Sequence, residues 1–173
     1  MKRWIAILPL AALAGLGAVF AAYGLHHNPH YIPNARVGQA MPDASLPPLD
    51  GGGPVRLSSV VRPATLVNFY ASWCAPCIQE EPTLMALKAE GVRIVGVAWK
   101  DDPAKTRAHL AQHGDPYALT LVDRDGRTGL DFGVSGVPET YLIGADGKIL
   151  AKVAEPLTAD SAEQLLEQAS PKR

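Results

Sequence analysis

The sequence contains little cysteine and no excess of charge. Only two cysteines occur among 173 residues, which is too few for a disulfide framework or a four-cysteine zinc site. The formal net charge is −1, so the chain lacks the basic surface that binding to nucleic-acid phosphates needs. Hydrophobic residues make up 47%, and a chain of this length buries a core without cross-links. Composition therefore excludes a small cross-linked module, a zinc finger, a disordered chain and a basic DNA-binding protein.

The N-terminus holds the longest apolar run. Lys2 and Arg3 are followed by 22 residues without a charge. A helix of that length spans about 33 Å, close to the thickness of a hydrocarbon core, and the basic residues keep its start cytoplasmic. Because the run is longer than the apolar part of a signal peptide, we predict an uncleaved membrane anchor over residues 1–25. A cleaved signal peptide is the alternative, and both interpretations export residues 26–173.

The exported part begins with a polar, proline-containing segment and continues with alternating strand and helix patterns. Residues 26–36 lack periodicity, which predicts a linker, and residues 37–173 are predicted to form one domain. The predicted strands cover residues 65–70, 92–99, 119–122, 139–143 and 148–153, and the predicted helices cover residues 75–90, 102–113 and 159–168. This order predicts an α/β domain with a mixed central sheet and helices on both faces.

The two cysteines lie three positions apart, where the first predicted strand gives way to a helix. Such a context is typical of a redox-active pair. The free N–H groups and the positive dipole end at a helix N-terminus stabilise a thiolate on Cys74, the attacking species in disulfide exchange. Cys77 lies one turn further along, close enough to form a disulfide and to resolve a mixed disulfide.

Three other interpretations of this pair stay open from the residues alone. A structural disulfide is disfavoured, because closing a four-residue loop restricts the unfolded chain by only about 2 kcal/mol, against about 4.7 for a loop of about 100 residues. A metal half-site needs two more ligands, and His109 and His113 on another predicted helix are candidates. The pair could also be two inert buried thiols.

A second motif precedes the predicted hairpin. Its residues are Gly136, Val137, Pro138, Glu139 and Thr140. A proline that enters a strand belongs at a sheet edge or in a special turn, where a cis peptide bond is one of two options.

Together these motifs follow the thioredoxin-like pattern. The sequence resembles, more narrowly, the membrane-anchored thiol:disulfide interchange proteins of bacterial cytochrome c maturation, the DsbE/CcmG family. Besides the N-terminal anchor, the segments that carry the resemblance are residues 37–38, 41–42, 66–74, 80, 99–102, 123–126, 129–134 and 136–140. The resemblance implies a thioredoxin-like fold preceded by a single N-terminal membrane helix.

The resemblance also implies roles for residues around the cysteines. Cys74 is expected to be the nucleophile and Cys77 the resolving thiol. Pro138 is expected to be a cis-proline that faces them, while the Val137 backbone pairs with an extended substrate segment. Trp73 is expected to contact substrate.

Glu80 and Glu139 match acidic positions near the site of this family. Glu80 lies one helical turn past Cys77, a spacing that suits a proton relay. Glu139 is expected to contact substrate. The alternatives are a solvated helix face for Glu80 and a surface charge at a strand edge for Glu139.

Two positions depart from the related patterns. Asn68 stands where cytoplasmic thioredoxins carry a buried aspartate, and its side chain cannot take up a proton. Glu80 is therefore the candidate acid. Ser135 stands where family members often have an aromatic residue, which predicts a wider substrate groove.

The resemblance implies dithiol–disulfide exchange with no cofactor or metal beyond the Cys74–Cys77 pair. The expected substrate is the haem-site disulfide of apocytochrome c, alone or in a haem-ligation complex. A membrane electron donor of the DsbD/CcdA type is expected to re-reduce the pair. The protein is expected in the bacterial inner membrane with its domain in the periplasm, and without a nucleic-acid partner. The alternatives are a broader envelope disulfide reductase and a non-redox metal- or partner-binding module.

Overall fold

A computed structural model describes residues 2–26, 36–61 and 64–169. The elements are α1 (Lys2–His26), β1 (Ser45–Leu46), β2 (Val55–Arg56), α2 (Leu57–Val60), β3 (Thr65–Tyr70), α3 (Ala75–Ala89), β4 (Ile94–Trp99), α4 (Pro103–His113), β5 (Leu119–Asp123), α5 (Arg127–Phe132), β6 (Glu139–Ile143), β7 (Ile149–Val153) and α6 (Ala159–Glu167). The predicted strands and helices after residue 63 are all present, and each of their ends lies within two residues of its predicted position.

The chain divides into two compact units, and α1 belongs to the first while β1 to α6 belong to the second. Within the described part of the chain, no helix combines the length and the apolar character that crossing a membrane requires. The anchor over residues 1–25 and the boundaries of the linker and domain stay predictions. Most of the predicted linker, residues 27–35, lies outside the described residues.

The second unit is built on a five-stranded sheet with the order β5-β4-β3-β6-β7. Strands β3, β4 and β5 run parallel, while β6 and β7 run antiparallel to their neighbours. The predicted mixed sheet is therefore confirmed. Strands β1 and β2 form a separate two-stranded antiparallel sheet.

Every residue of the central strand β3 is buried, because both faces of the sheet are covered. Leu66 and Tyr70 belong to the apolar cluster that includes residues of α3, α4 and α6. Val67 and Phe69 point to the opposite face and belong to the cluster that includes residues of α2 and α5. This alternation follows the two-residue period of a strand and confirms helices on both faces.

Helix α5 has no counterpart among the predicted elements, since it is short and begins after Gly126 in a left-handed conformation (φ 76°). The Asp123 carboxylate satisfies its first turn by accepting hydrogen bonds from Thr128 N (3.2 Å) and Gly129 N (2.8 Å). A Cβ at Gly129 would lie 2.3 Å from Trp99 Nε1, so glycine lets the indole pack against the helix. These stabilising contacts come from outside the helix, which leaves little helical signal in its own residues.

Candidate active site

The topology brings two distant segments together at one end of β3. The chain leaves β3 at Tyr70 and enters α3 at Ala75, so Cys74 lies directly beyond the strand end. Because β6 runs antiparallel to β3, its first residue, Glu139, pairs with Phe69 near that same end. Pro138 precedes Glu139 and is therefore carried toward Cys74.

The contact between the two segments is direct. Cys74 Sγ lies 3.4 Å from the carbonyl oxygen of Val137, and the Val137–Pro138 peptide bond is cis. The predicted cysteine pair and the predicted cis-proline motif thus lie next to each other in the structure. Their roles in substrate exchange stay predictions.

Cys74 and Cys77 form a disulfide with 5.4 Å between their Cα atoms. Cys74 is the N-cap of α3, and its sulfur accepts a hydrogen bond from Cys77 N at 3.2 Å. The backbone N–H and the positive end of the helix favour negative charge on this sulfur. The same groups are therefore arranged to stabilise a Cys74 thiolate once the disulfide is reduced.

Glu80 is completely buried on α3, three residues after Cys77. Its Oε1 accepts a hydrogen bond from Asn68 Nδ2 (2.8 Å), and its Oε2 accepts one from Leu157 N (3.0 Å). Burial raises the pKa of Glu80 to about 7, reinforced by the charge of Glu81 and opposed by the two hydrogen bonds. The alternative of a solvated helix face is wrong, and Glu80 is suited to exchange a proton near neutral pH.

Asn68 connects Glu80 to two further side chains. Its Nδ2 also donates to Thr140 Oγ1 (3.0 Å) across the β3–β6 pair, and its Oδ1 accepts a hydrogen bond from the Tyr117 hydroxyl (2.8 Å). Burial raises the pKa of Tyr117, which keeps the hydroxyl protonated as a donor. Tyr117 and Thr140 are absent from the predicted site, since neither belongs to a spacing that indicates redox chemistry.

The Glu139 carboxylate is also buried, and it points into the protein. Its Oε1 accepts hydrogen bonds from Ser135 N (3.0 Å) and Ser135 Oγ (2.7 Å). Its Oε2 accepts one from the Tyr141 hydroxyl (2.7 Å) and forms an ion pair with Lys152 Nζ (2.8 Å). The alternative of a surface charge at a strand edge is wrong. Glu139 holds the loop that contains Pro138, and its contact with substrate stays a prediction.

An exposed apolar surface lies beside the disulfide. The side chains of Trp73 and Ile78 flank the two cysteines in sequence and remain 57% and 41% exposed. The Trp73 indole is held in place, because its Nε1 donates a hydrogen bond to the Lys100 carbonyl (3.3 Å). This surface can contact a substrate chain, and the substrate contact of Trp73 stays a prediction.

The two candidate metal-ligand histidines bind another partner. His109 Nε2 lies 2.9 Å from Glu81 Oε1, and His113 Nδ1 lies 3.2 Å from Glu81 Oε2, between α4 and α3. Among the described residues, no group of three or more histidine, cysteine, aspartate or glutamate side chains could hold a metal ion. The two histidines therefore lie against Glu81 between the two helices, and the described residues give no support to a metal half-site with the cysteines.

Comparison with known proteins establishes the family. The redoxin family profile matches residues 36–167, which is most of the chain. The chain belongs to the redoxin family. The thiol:disulfide interchange protein HelX of Rhodobacter capsulatus is 41% identical over 162 residues, which cover 92% of both chains. The thiol:disulfide interchange protein DsbE of Escherichia coli K12 is 37% identical over 155 residues, covering 86% of this chain and 84% of its own.

A solved structure agrees with these redoxin relatives. A Chlorobium tepidum protein assigned as a thiol:disulfide interchange protein DsbE superimposes with a TM-score of 0.63 at 30% identity, covering 76% of this chain and 96% of its own. The predicted resemblance to the thioredoxin-like DsbE group is confirmed. Together with the Cys74–Cys77 disulfide, these relatives also confirm a protein-disulfide oxidoreductase.

Proposed function

We propose that this redoxin is a membrane-anchored reductant of the haem-site disulfide in apocytochrome c. The observation that carries the proposal is the position of the Cys74–Cys77 pair. It caps a helix, faces the Val137–Pro138 segment and lies beside exposed apolar side chains. Cys74 itself is only 3% exposed in the disulfide form, so the exposed Trp73 and Ile78 are the neighbouring side chains that an approaching substrate chain can contact. The similarity to the interchange proteins HelX and DsbE supports the same reaction.

The exchange begins with the reduced pair. The Cys74 thiolate attacks one sulfur of the substrate disulfide, which forms a mixed disulfide and releases the other substrate sulfur as a thiolate. Cys77 then attacks Cys74 Sγ, which breaks the mixed disulfide and closes the Cys74–Cys77 bond. Two electrons pass from the protein to the substrate, whose two thiolates each take up a proton.

Glu80 accepts the proton of the resolving thiol, Cys77, in this mechanism. Cys77 must lose its proton before it attacks, and Glu80 lies one helical turn away with a pKa raised to about 7 by burial. As a carboxylate, Glu80 accepts that proton. Asn68 Nδ2 and Leu157 N keep the carboxylate oriented through their hydrogen bonds.

The proposal places residues 1–25 in the inner membrane, residues 26–36 as a tether and residues 37–173 in the periplasm. It is supported by the 22 uncharged residues that follow Lys2 and Arg3. The periplasm is kept oxidising, so a reductant there must recognise its substrate narrowly. Anchoring also keeps the domain near a DsbD/CcdA-type membrane donor, the partner that we propose for re-reduction.

A trapping experiment tests the proposed substrate. The Cys77→Ser variant forms the first mixed disulfide through Cys74 but cannot resolve it. Incubated with an oxidised apocytochrome c peptide, the variant is expected to accumulate a covalent adduct that a reductant releases, detected by mass spectrometry. The Cys74→Ser variant is the matched control and is expected to form far less adduct. An unmodified peptide after incubation with Cys77→Ser contradicts the proposal.

One observation favours a broader envelope disulfide reductase as the second candidate. Ser135 is exposed at the loop before Pro138, where an aromatic residue would narrow the groove. Deletion of the gene separates the two functions. The apocytochrome proposal predicts loss of covalent haem from c-type cytochromes, whereas normal haem attachment supports the broader reductase.

A further inference from the structure

A buried carboxylate grips the active-site turn from the neighbouring strand. Asp101 follows β4 and is only 4% exposed. Its oxygens accept four hydrogen bonds, and two of these come from one residue, Ser72, through its backbone N (2.7 Å) and its Oγ (2.8 Å). The other two come from Asp102 N (2.8 Å) and Thr106 Oγ1 (3.0 Å). Asp101 therefore ties Ser72 to the start of α4.

Ser72 belongs to the turn that ends at Cys74, the expected nucleophile. Cys74 N donates a hydrogen bond to the Ala71 carbonyl (3.1 Å), which closes a turn with Ser72 and Trp73 at its centre. Asp101 holds Ser72, and the Lys100 carbonyl accepts the hydrogen bond from Trp73 Nε1. Both central residues of the turn are thus bound by two consecutive residues that follow β4.

Lys100, in the segment that follows β4 and binds the turn, has an unusual backbone conformation. Lys100 adopts a φ of 49°, a left-handed conformation that is uncommon outside glycine. Lys100 N donates to the Asp123 carbonyl (2.8 Å), and Lys100 Nζ lies 4.3 Å from the centroid of the Trp99 ring. These contacts hold the backbone in the conformation that presents the Lys100 carbonyl and the Asp101 carboxylate to the turn.

We propose that Asp101 is a positioning residue for the redox pair. By fixing Ser72, its carboxylate keeps Cys74 Sγ at the N-terminus of α3 and within reach of Cys77 after the disulfide is reduced. Thiols held close together lose less freedom when they form a disulfide, so a rigid turn makes the dithiol a better electron donor. The inference rests on disulfide exchange by this chain and not on the proposed substrate.

The equilibrium with glutathione measures this effect. The reaction converts the protein dithiol and one oxidised glutathione into the protein disulfide and two reduced glutathiones. In Asp101→Asn, the side chain keeps its size but retains a single acceptor oxygen for four donors. We expect the equilibrium constant of the full chain to fall roughly fivefold to tenfold, and a tenfold fall equals about 30 mV.

Asp102→Asn is the matched control. Asp102 is the neighbouring aspartate, lies half-exposed and caps α4 through Ala104 N and Lys105 N without contacting Ser72. Because asparagine is also a good N-cap, this variant is expected to keep the wild-type equilibrium constant. A general effect of removing one negative charge would shift both variants equally and would overturn the proposal.

Ser72→Ala provides a second and milder variant, because it removes one of the four donors and leaves the backbone. We expect about a twofold to threefold fall in the equilibrium constant, and no further fall when it is added to Asp101→Asn. A lower denaturation midpoint with an unchanged equilibrium constant in Ser72→Ala indicates a purely structural role and overturns the proposal, even if Asp101→Asn fails to fold. Failure of wild type to reduce an apocytochrome peptide overturns only the proposed substrate.

Discussion

Two buried glutamates lie on the two segments that meet at the redox site, and their hydrogen-bond and charge partners differ. Glu80 in α3 accepts hydrogen bonds from two neutral donors, Asn68 Nδ2 and Leu157 N. Glu139, at the start of β6, has the Lys152 ammonium 2.8 Å from its Oε2 as well as neutral donors. Within the described residues, no cation forms an ion pair with Glu80.

The difference shows how the same type of residue, a buried glutamate, serves two purposes in this protein. Burial without a counter-charge raises the pKa of Glu80 to about 7, so that this group can gain and lose a proton under working conditions. Glu139 has a buried cation beside it and donors from Ser135 and Tyr141, so it fixes the loop before β6. We therefore interpret Glu80 as the group for proton transfer and Glu139 as the group that maintains geometry.

Breaking the ion pair should have the largest effect. Glu139→Gln leaves the Lys152 ammonium, whose side chain is 6% exposed, without its counter-charge. Loss of one partner of a buried pair lowers the free energy of unfolding by about 3–5 kcal/mol, which urea denaturation of the variant measures. The double variant Glu139→Gln with Lys152→Met should recover much of this loss. An unchanged midpoint in the single variant would show that the pair does not hold the loop.

Removing the titratable group should change the pH dependence of stability. Between pH 4.5 and about 7, unfolded Glu80 is ionised while the folded, buried group keeps its proton. The folded state binds more protons, so stability falls as pH rises through this window, by about 3 kcal/mol in total. We expect Glu80→Gln to lack this part of the fall when urea denaturation at pH 4.5 and pH 8 is compared.

The matched control for that comparison is Glu90→Gln, which removes an exposed carboxylate at the end of the same helix. It should retain the wild-type difference between the two pH values. Parallel pH curves for wild type and Glu80→Gln would contradict the interpretation of Glu80 as the group that titrates in the fold.

A substitution near Glu80 that leaves Glu80 itself unchanged should have a smaller effect on stability. A Cβ at Gly96 would lie 2.7 Å from the Tyr117 ring, so Gly96→Ala displaces the tyrosine that donates to Asn68. Such overpacking should lower the free energy of unfolding by about 1–3 kcal/mol in urea denaturation. Gly53→Ala adds a methyl group where nothing lies within 4 Å and should have little effect. Equal midpoints for the two variants would argue against a rigid Tyr117.

The smallest expected loss of stability comes from removing one hydrogen bond to Glu139. Ser135→Ala removes the hydroxyl donor to Glu139 Oε1 but keeps the backbone N–H donor. The expected loss of stability is about 1 kcal/mol, since one of several hydrogen bonds to a charged group disappears from a partly exposed position. Ser45→Ala, at an exposed position of β1, serves as the control for urea denaturation. A loss equal to that of the control would exclude a contribution of the Ser135 hydroxyl.

Much of the fold could be predicted because its signals are local. The apolar runs of β3 and β4, the turn between β6 and β7 and the cysteine pair at a strand–helix junction each depend on neighbouring residues. Helix α5 escaped prediction because its first turn is satisfied by Asp123, outside the helix, and because Gly129 accommodates Trp99.

The sequence by itself determined that this is a thioredoxin-like domain with one redox-active pair at the start of a helix. Only the tertiary structure decided what surrounds that pair. Pairing of β3 with β6 opposes Val137 to Cys74, and packing brings Leu157 to Glu80 and Asp101 to Ser72. These contacts join residues that are 29 to 77 positions apart, so they depend on strand register and helix packing, which no local pattern encodes.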